Sequence, residues 1–382
     1  MSETNLNIQM VDLKSQYMKI KPQVDKAIND VLSSTQFING EHVKSFQNEL
    51  AAYLGVKHVI TCANGTDALQ ISMMALGLKP GDEIITPSFT YIATTEVIAL
   101  LGLKPVFVDC DPENFNISVE EVEKVITKKT KAIVPVHLFG QSSDMKSIMN
   151  LAKKHNLFVI EDNAQAIGSD YLGFNKPQKT GTIGNIGCTS FFPSKNLGCF
   201  GDGGAMMTND DELAEKIRMI ANHGQSKRYY HDIIGCNSRL DNIQAAVLRI
   251  KLKKLDQYIL NRQKAANYYD KNLKDLDQLK IPSRNIDSSH VFHQYTIKLD
   301  DNIVRDDLIQ YLAKKNIPAM VYYPVPAHLQ KMFSKIPNTY GDMKVTNWLS
   351  SRVFSLPMHT ELSTLQQDYI TENLFKYLKI NK

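Results

Sequence analysis

From about residue 56, short apolar runs rich in β-branched residues alternate with stretches of helical periodicity. The runs are continuously apolar, which is typical of strands that are buried on both faces of a parallel sheet. Turns containing Gly, Pro and Asp separate the runs from the helices. The strands that this pattern predicts lie at residues 58–61, 83–86, 105–108, 132–136, 157–160 and 188–192. The first part of the chain therefore predicts an α/β fold, with a mostly parallel sheet between layers of helices.

Helical periodicity predicts helices near residues 66–77, 94–102, 119–127 and 143–155. The third of these begins after Ser118, and Glu121 follows that serine by three residues, as in a capping box. A further helix near 210–222 is followed by an irregular stretch that ends at Gly235. These helices supply the layers that cover the sheet.

The pattern changes in the last third of the chain. Residues 241–273 contain neither Gly nor Pro and predict one long helix. A smaller α/β unit follows, with a strand at 294–299 and helices near 304–315 and 364–379. We expect a large domain over residues 1–250, and the long helix with a small C-terminal domain over residues 251–382. The first 30 or so residues could pack on either domain.

Composition narrows the class of protein. With 382 residues, 43% hydrophobic and 22% charged, the chain has the composition of a soluble globular protein. The net charge of +4 gives no reason to expect a nucleic acid or a membrane surface as partner. No apolar run is long enough to span a bilayer, and the N-terminus lacks the features of a signal peptide. The five cysteines show no paired spacing, so we expect reduced thiols, no metal site and a cytoplasmic protein.

The candidate chemistry begins with Lys195, which follows an apolar run and precedes the Gly-rich turn at residues 201–204. By itself, such a lysine is more often an exposed residue at the end of a strand. If it is buried, the loss of hydration lowers the pKa of the amine and makes it a nucleophile towards carbonyl groups. The aldehyde cofactor that enzymes hold through a lysine is pyridoxal phosphate.

Other predicted strand ends carry residues that suit the same cofactor, because ligands of doubly wound sheets bind at the carboxyl ends of the strands. Gly65 and Thr66 could begin a helix that binds a phosphate, or Thr66 could simply cap that helix. Tyr91 could stack on a planar ring or belong to the core. Asp162 could hold a pyridine nitrogen or cap the next helix, and Ser190 could reach the phosphate.

Two neighbouring features are not assigned to this cofactor site. Glu161 points away from Asp162, because successive side chains of a strand face opposite sides of the sheet. The glycines at residues 198–201 resemble part of a dinucleotide-binding motif, but no helix follows them, and we reject that interpretation.

Together these motifs resemble the DegT/DnrJ/EryC1/StrS family of pyridoxal-phosphate-dependent nucleotide-sugar aminotransferases, a branch of the fold-type-I aminotransferases. The resemblance runs from residue 11 to residue 359 and is carried by residues 63–69, 161–165, 190–195, 201–205 and 235–246. It implies a large domain with a mixed, mostly parallel sheet of seven strands and a smaller C-terminal α/β domain. It also implies a homodimer with shared active sites.

The resemblance assigns roles to residues. Lys195 resembles the lysine that forms the Schiff base and moves the proton, and Asp162 the partner of the pyridine nitrogen. The cofactor would also contact Gln165 beside the ring hydroxyl, Tyr91 stacked on the ring, Gly65, Thr66 and Ser190 at the phosphate, and Asn237 of the neighbouring subunit. Arg239 and Tyr323 match positions that meet the substrate. Two departures are Asn163, where Ala is usual, and Tyr322, where many relatives have His.

The implied reaction takes an amino group from L-glutamate, leaves pyridoxamine phosphate, and passes the group to a keto-sugar nucleotide. The motifs are most similar to enzymes that aminate C3 of a UDP-linked 2-acetamido-3-oxo-hexuronate for bacterial surface polysaccharide such as O-antigen, where Arg239 could bind the carboxylate. Amination of a 4-keto-6-deoxy sugar on dTDP, UDP or GDP is the alternative. A sugar dehydratase would carry His in place of Lys195. A regulatory protein and an ordinary amino-acid aminotransferase are the remaining alternatives.

Overall fold

The computed structural model describes residues 6–380. Its helices are α1 Leu13–Ser34, α2 Glu41–Leu54, α3 Gly65–Ala75, α4 Ala93–Leu100, α5 Val119–Val125, α6 Met145–His155, α7 Asp211–Ala221, α8 Asn242–Leu252, α9 Leu255–Leu273, α10 Arg305–Lys314, α11 Lys344–Arg352 and α12 Thr364–Ile380. Its strands are β1 His58–Cys62, β2 Glu83–Pro87, β3 Lys104–Val108, β4 Thr130–Ile133, β5 Phe158–Asp162, β6 Asp170–Tyr171, β7 Gln178–Lys179, β8 Ile186–Ser190, β9 Gly204–Thr208, β10 Gln225–Lys227, β11 Tyr230–His231, β12 Leu279–Lys280, β13 Tyr295–Leu299, β14 Thr339–Tyr340 and β15 Val353–Leu356.

The main sheet has eight strands in the order β1-β9-β8-β5-β4-β2-β3-β14. Strand β9 is antiparallel to both of its neighbours, and the remaining pairs are parallel. The predicted α/β class with a mostly parallel mixed sheet is therefore confirmed, whereas the expected number of seven strands is wrong. The extra strand is β14, whose two exposed residues lack the apolar pattern of a buried strand.

Successive residues of the strands pack on opposite faces of this sheet, as the continuous apolar runs predict. Ile84 of β2 packs beneath helices α3, α4 and α7, whereas its neighbour Ile85 packs beneath α5 and α6. Helices α2 and α8 extend the second layer over β1 and β9. Because both faces are covered, the carboxyl ends of the parallel strands are the part of the sheet that remains open to ligands.

The predicted helix over residues 241–273 is wrong as a single element, because it divides into α8 and α9 between Leu252 and Leu255. Two lysines make the turn, and Lys254 leaves ideal helical geometry with φ −109° and ψ −3°. Helix α8 packs on α1 and α2, whereas α9 packs on α12. The need to pack on different partners bends the chain where no Gly or Pro marks the break.

The C-terminal part of the chain builds a separate sheet of three antiparallel strands, β12-β13-β15, with its own apolar core. The N-terminal segment contacts this unit, because Ile8 packs in the same core and the Met10 carbonyl accepts a hydrogen bond from the Met358 amide over 3.2 Å. Helix α1 packs on α8 through Val24 and Val247. None of the described helices is both long and apolar enough to cross a membrane.

Candidate active site

A cavity of about 780 Å³ opens at the carboxyl ends of β5 and β8. Its wall collects most of the residues that the sequence singles out, namely Gly65, Thr66, Tyr91, Asp162, Gln165, Ser190, Lys195 and Tyr323. These residues come from distant parts of the chain, since the first and last are 258 positions apart (323 − 65). Asn237 and Arg239 do not line the cavity.

Lys195 lies in the loop after β8, where its backbone amide donates to the Phe192 carbonyl over 2.9 Å. The side chain is half-buried and faces the cavity, and its amine has no hydrogen-bond or ion-pair partner within residues 6–380. Burial lowers the pKa of the Lys195 amine to about 8, although the Asp162 carboxylate acts in the opposite direction. A substantial neutral fraction near physiological pH gives the amine nucleophilic character.

Asp162 is the last residue of β5 and is buried. Its Oδ2 accepts a hydrogen bond from the Thr94 hydroxyl over 2.7 Å, and its Oδ1 accepts one from the Ala164 amide over 3.1 Å. Each carboxylate oxygen can accept a further hydrogen bond. Asp162 can therefore still bind a donor that enters the cavity.

Glu161 lies on the opposite face of β5, where it is fully buried. Its carboxylate accepts hydrogen bonds from His137 Nε2 over 2.9 Å and from the backbone amides of Gly181, Ile183 and Gly184 over 2.6–2.8 Å. His137 Nδ1 accepts from the Ser143 amide, so its proton resides on Nε2. These contacts tie β5 to the loop that leads into β8.

The N-terminus of α3 closes one end of the cavity. Asn64 caps the helix by accepting from the Asp67 amide over 2.8 Å, which leaves the Gly65 and Thr66 amides without a helical acceptor. A Cβ on Gly65 would lie 2.7 Å from Ser190 Cβ, so only glycine lets the helix approach the end of β8 this closely. Free amides beside a hydroxyl form a site that suits a phosphate.

Two tyrosines form another wall. Tyr91 is 57% exposed, so it does not belong to the core, and its ring lies 6.2 Å from that of Tyr323. The Gln165 amide donates to the Tyr323 hydroxyl over 2.9 Å, and the Gln165 carbonyl accepts from the Phe139 amide over 2.8 Å. Burial raises the pKa of Tyr323, so this hydroxyl stays protonated.

The cavity also contains residues that the sequence analysis did not single out. His293 is buried, its Nδ1 has no partner among the described residues, and burial holds its pKa well below the ordinary value, so the ring is neutral. Gln294 also lines the cavity. Both residues come from the C-terminal part of the chain, and no local motif marks them. The wall further contains Tyr322, the position at which many relatives have His. Among the described residues, Asp67 and Asp202 complete the charged groups of the wall, and Lys195 is its one cation.

The segment that contains Asn237 and Arg239 runs beside the end of the cavity that the α3 terminus closes. Between them, the Ser238 hydroxyl donates to Asp67 and accepts from the Ala63 amide over 3.0 Å. Asn237 is exposed and forms an isolated backbone bridge with Asn222. The structure therefore places these two residues close to the site but outside its wall.

The wall fits the three polar ends of pyridoxal phosphate. The unpartnered Lys195 amine suits the aldehyde, the Asp162 carboxylate suits the ring nitrogen, and the free amides of α3 with Ser190 suit the phosphate. Within residues 6–380, no cluster of His, Cys, Asp and Glu is arranged to hold a metal ion.

The chain is similar to known proteins over almost its whole length. The model of the DegT/DnrJ/EryC1/StrS aminotransferase family matches residues 18–375. A UDP-2-acetamido-2-deoxy-3-oxo-D-glucuronate aminotransferase of Pseudomonas aeruginosa is 45% identical over 94% of this chain and 96% of its own. A UDP-N-acetyl-3-dehydro-α-D-glucosamine 3-aminotransferase of Acidithiobacillus ferrooxidans is 44% identical over 94% of each. A pleiotropic regulatory protein of Geobacillus stearothermophilus is 45% identical over 98% of this chain and 99% of its own.

Solved structures agree with this relationship. A DegT/DnrJ/EryC1/StrS aminotransferase from Brucella abortus superposes with a TM-score of 0.91 at 41% identity, covering 97% of this chain and 99% of its own. NtdA from Bacillus subtilis, solved with bound pyridoxamine phosphate, superposes with a TM-score of 0.88 at 32% identity, covering 97% and 83%.

Proposed function

The chain belongs to the DegT/DnrJ/EryC1/StrS aminotransferase family, and from that premise we propose that it transfers an amino group from L-glutamate to C3 of a UDP-linked 2-acetamido-3-oxo sugar or uronate. Pyridoxal phosphate is the cofactor of this family. The observation that carries the proposal is the unpartnered Lys195 amine, which faces the same cavity as the hydrogen-bonded carboxylate of Asp162. The product would be an amino sugar for bacterial surface polysaccharide.

Different residues of the cavity wall would have different roles in this reaction. When bound, pyridoxal phosphate supplies an aldehyde that captures amines and a ring that accepts the electrons of a broken C–H bond. Lys195 would hold the aldehyde carbon, and its low pKa leaves an amine that can take up and return a proton at Nζ. Asp162 would keep the ring nitrogen protonated. The α3 amides and Ser190 would hold the phosphate, and Gln165 would lie beside the ring hydroxyl.

The proposed sugar substrate is inferred from the names of two similar proteins. The Pseudomonas and Acidithiobacillus proteins both act, by their names, on UDP-linked sugars with a ketone at C3, and they match almost the whole chain at similar identity. They differ in the sugar, which is a glucuronate in one and a glucosamine in the other. Arg239 would meet the carboxylate if the substrate is the uronate.

We infer that the two parts of the chain share the site. The part before residue 250 would hold the cofactor, because Lys195, Asp162 and the α3 terminus belong to it. The part after residue 251 would close the sugar side with its own wall residues, among them His293 and Tyr323.

The cysteines form no disulfide within residues 6–380, which supports a reducing compartment such as the cytoplasm.

A homodimer would complete the site. The part of the wall formed by residues 6–380 holds one cation and three carboxylates, whereas the substrates carry a diphosphate and carboxylates that need cations or amides. Asn237 is exposed, and Arg239 makes no hydrogen bond or ion pair with another described residue. Both residues are therefore available to a second copy of the chain, in which Asn237 would reach the cofactor phosphate.

The visible absorption spectrum of the purified protein tests the proposed function. With pyridoxal phosphate, a cofactor band should form through Lys195, bleach with L-glutamate and return with one keto-sugar nucleotide. The panel should contain the UDP-linked 3-oxo uronate, the UDP-linked 3-oxo glucosamine and 4-keto-6-deoxy sugars on dTDP, UDP and GDP. Return with a 4-keto sugar would overturn C3 amination. A band that ignores glutamate would leave the dehydratase and regulatory alternatives.

A further inference from the structure

The Asp162 carboxylate is held from two sides by contacts of different kinds. The Ala164 amide, which reaches Oδ1, belongs to the turn that follows Asp162 itself. The Thr94 hydroxyl, which reaches Oδ2 over 2.7 Å, belongs to the first turn of α4 and is 68 residues away along the chain. Of the two, Thr94 alone ties the carboxylate to another element, so it is the contact that couples the orientation of the carboxylate to helix α4.

The direction of this hydrogen bond is determined by the chemistry of its partners. An ionised carboxylate can only accept, so Thr94 must donate its proton to Asp162. The oxygen of Thr94 is then free to accept, and the Thr90 hydroxyl lies 3.3 Å from it. Thr90 lines the cavity, whereas Thr94 is 1% exposed and lies behind it. The hydroxyls form a chain that runs from Thr90 through Thr94 to Asp162.

We propose that Thr94 is a positioning residue, which orients the Asp162 carboxylate so that its remaining lone pairs face the cavity. This inference rests on the proposed function, in which Asp162 holds the ring nitrogen of pyridoxal phosphate. Charge-assisted hydrogen bonds such as this one are stronger than neutral ones. Without Thr94, Asp162 would be held only by its own turn.

Equilibrium titration of the cofactor-free protein with pyridoxal phosphate measures this effect without turnover. For Thr94→Val, which replaces a hydroxyl by a methyl group, we expect the affinity for pyridoxal phosphate to fall about tenfold, the loss typical of a hydrogen bond to a charged group. Thr94→Ser restores the hydroxyl and should return the affinity to within about twofold of wild type. The rate of band bleaching by L-glutamate should follow the same order.

Thr95 offers a matched control one residue away in the same helix. It is fully buried, and its hydroxyl donates to the Ile92 carbonyl over 3.0 Å rather than to Asp162. Thr95→Val should lower the melting temperature but leave the affinity for pyridoxal phosphate at the wild-type value. An equal loss of affinity in both valine variants would overturn the proposal, because it would show a general effect of the lost hydroxyl on packing.

A double-mutant cycle separates orientation of Asp162 from other effects of Thr94. If Thr94 acts through the carboxylate, Thr94→Val should weaken cofactor binding much less in an Asp162→Asn background than in wild type. An undiminished effect in that background would contradict the proposal. Wild-type protein that binds no pyridoxal phosphate would instead refute the proposed function, so the two failures are distinguishable.

Discussion

Gln165 and Tyr323 form a hydrogen bond whose direction is determined by a third group, the Phe139 backbone amide. The Phe139 backbone amide can only donate, and it binds the Gln165 carbonyl oxygen over 2.8 Å. The Gln165 amino group therefore faces Tyr323 and donates to its hydroxyl oxygen over 2.9 Å. Since that oxygen accepts from Gln165, the proton of the hydroxyl remains free to be donated to another group. Because Tyr323 lines the cavity, we propose that it donates to an oxygen of the substrate.

For Tyr323→Phe, we expect the half-reaction with the keto-sugar nucleotide to slow by about tenfold or more, because the ketone oxygen loses a donor. The half-reaction with L-glutamate should change less. Single-turnover absorbance measurements resolve the two halves. Tyr369→Phe is the control, since the Tyr369 hydroxyl binds the Lys315 carbonyl away from the cavity. An equal loss in both half-reactions would argue against a role at the ketone.

Gln165→Glu tests the direction of the same hydrogen bond. A glutamate carboxylate would accept from both the Phe139 amide and the Tyr323 hydroxyl, which turns the tyrosine proton away from the cavity. The variant should therefore slow the keto-sugar half-reaction as Tyr323→Phe does, although Tyr323 remains. The double variant should be little worse than either single one. Additive losses would show that the two residues act separately.

The uptake of pyridoxal phosphate by cofactor-free protein should depend on pH through Lys195. Burial lowers the pKa of this amine to about 8, so below that pH most of it is protonated and unreactive. The initial rate should rise about tenfold per pH unit below pH 8 and level off above it. Stopped-flow absorbance measures this rate at constant cofactor concentration. A rate that keeps rising towards pH 10 would show an amine of ordinary pKa.

Lys195 should also lower the free energy of unfolding of the cofactor-free protein. Its pKa is lower in the folded chain than the ordinary 10.5, so its contribution to the free energy of unfolding is least favourable below pH 8 and improves as the pH rises from 8 to 10.5. Lys195→Met should stabilise the protein at pH 7 by roughly 1–3 kcal/mol and flatten this part of the profile. Denaturant melts at several pH values provide the test, and Lys195→Met should abolish transfer.

Gly65→Ala should weaken cofactor binding, because the new Cβ would lie 2.7 Å from Ser190 Cβ and push the α3 terminus away from β8. We expect an affinity for pyridoxal phosphate at least about tenfold lower, since phosphate binding at a helix terminus needs this close approach. Gly341→Ala is the control, because a Cβ there meets no atom of residues 6–380 within 4 Å. Unchanged affinity in the Gly65 variant would place the phosphate elsewhere.

Mixing of inactive subunits tests the shared site. Lys195→Ala and Asn237→Ala subunits should each be nearly inactive alone, whereas a mixed dimer keeps one complete site. Random exchange of equal amounts should therefore restore about a quarter of wild-type activity, as expected for a symmetric dimer. Size-exclusion chromatography with light scattering verifies the oligomer. No recovery despite exchange would show that Asn237 serves the site of its own chain.

The sequence by itself determined the features that arise from local patterns. Continuous apolar runs between amphipathic helices predict the parallel sheet. Lys195 and Asp162 stand out because they are charged residues at the ends of such runs, where burial of a charge is costly unless it has a use. The opposite direction of Glu161 follows from the two-residue period of a strand. The roles that the family resemblance gives to the site residues, Lys195 and Asp162 as well as Asn237 and Arg239, remain predictions.

Tertiary structure alone decided the contacts between distant segments. Nothing near Thr94 in the sequence marks it as a partner of Asp162, and Gln165 meets Tyr323 across 158 residues. The break between α8 and α9 depends on which elements each helix packs against. Local propensity and periodicity act over a few residues, whereas the direction of a buried hydrogen bond depends on every donor and acceptor that the fold brings to it. Sequence patterns therefore found Lys195 and Asp162, and the fold determined how the groups around them are oriented.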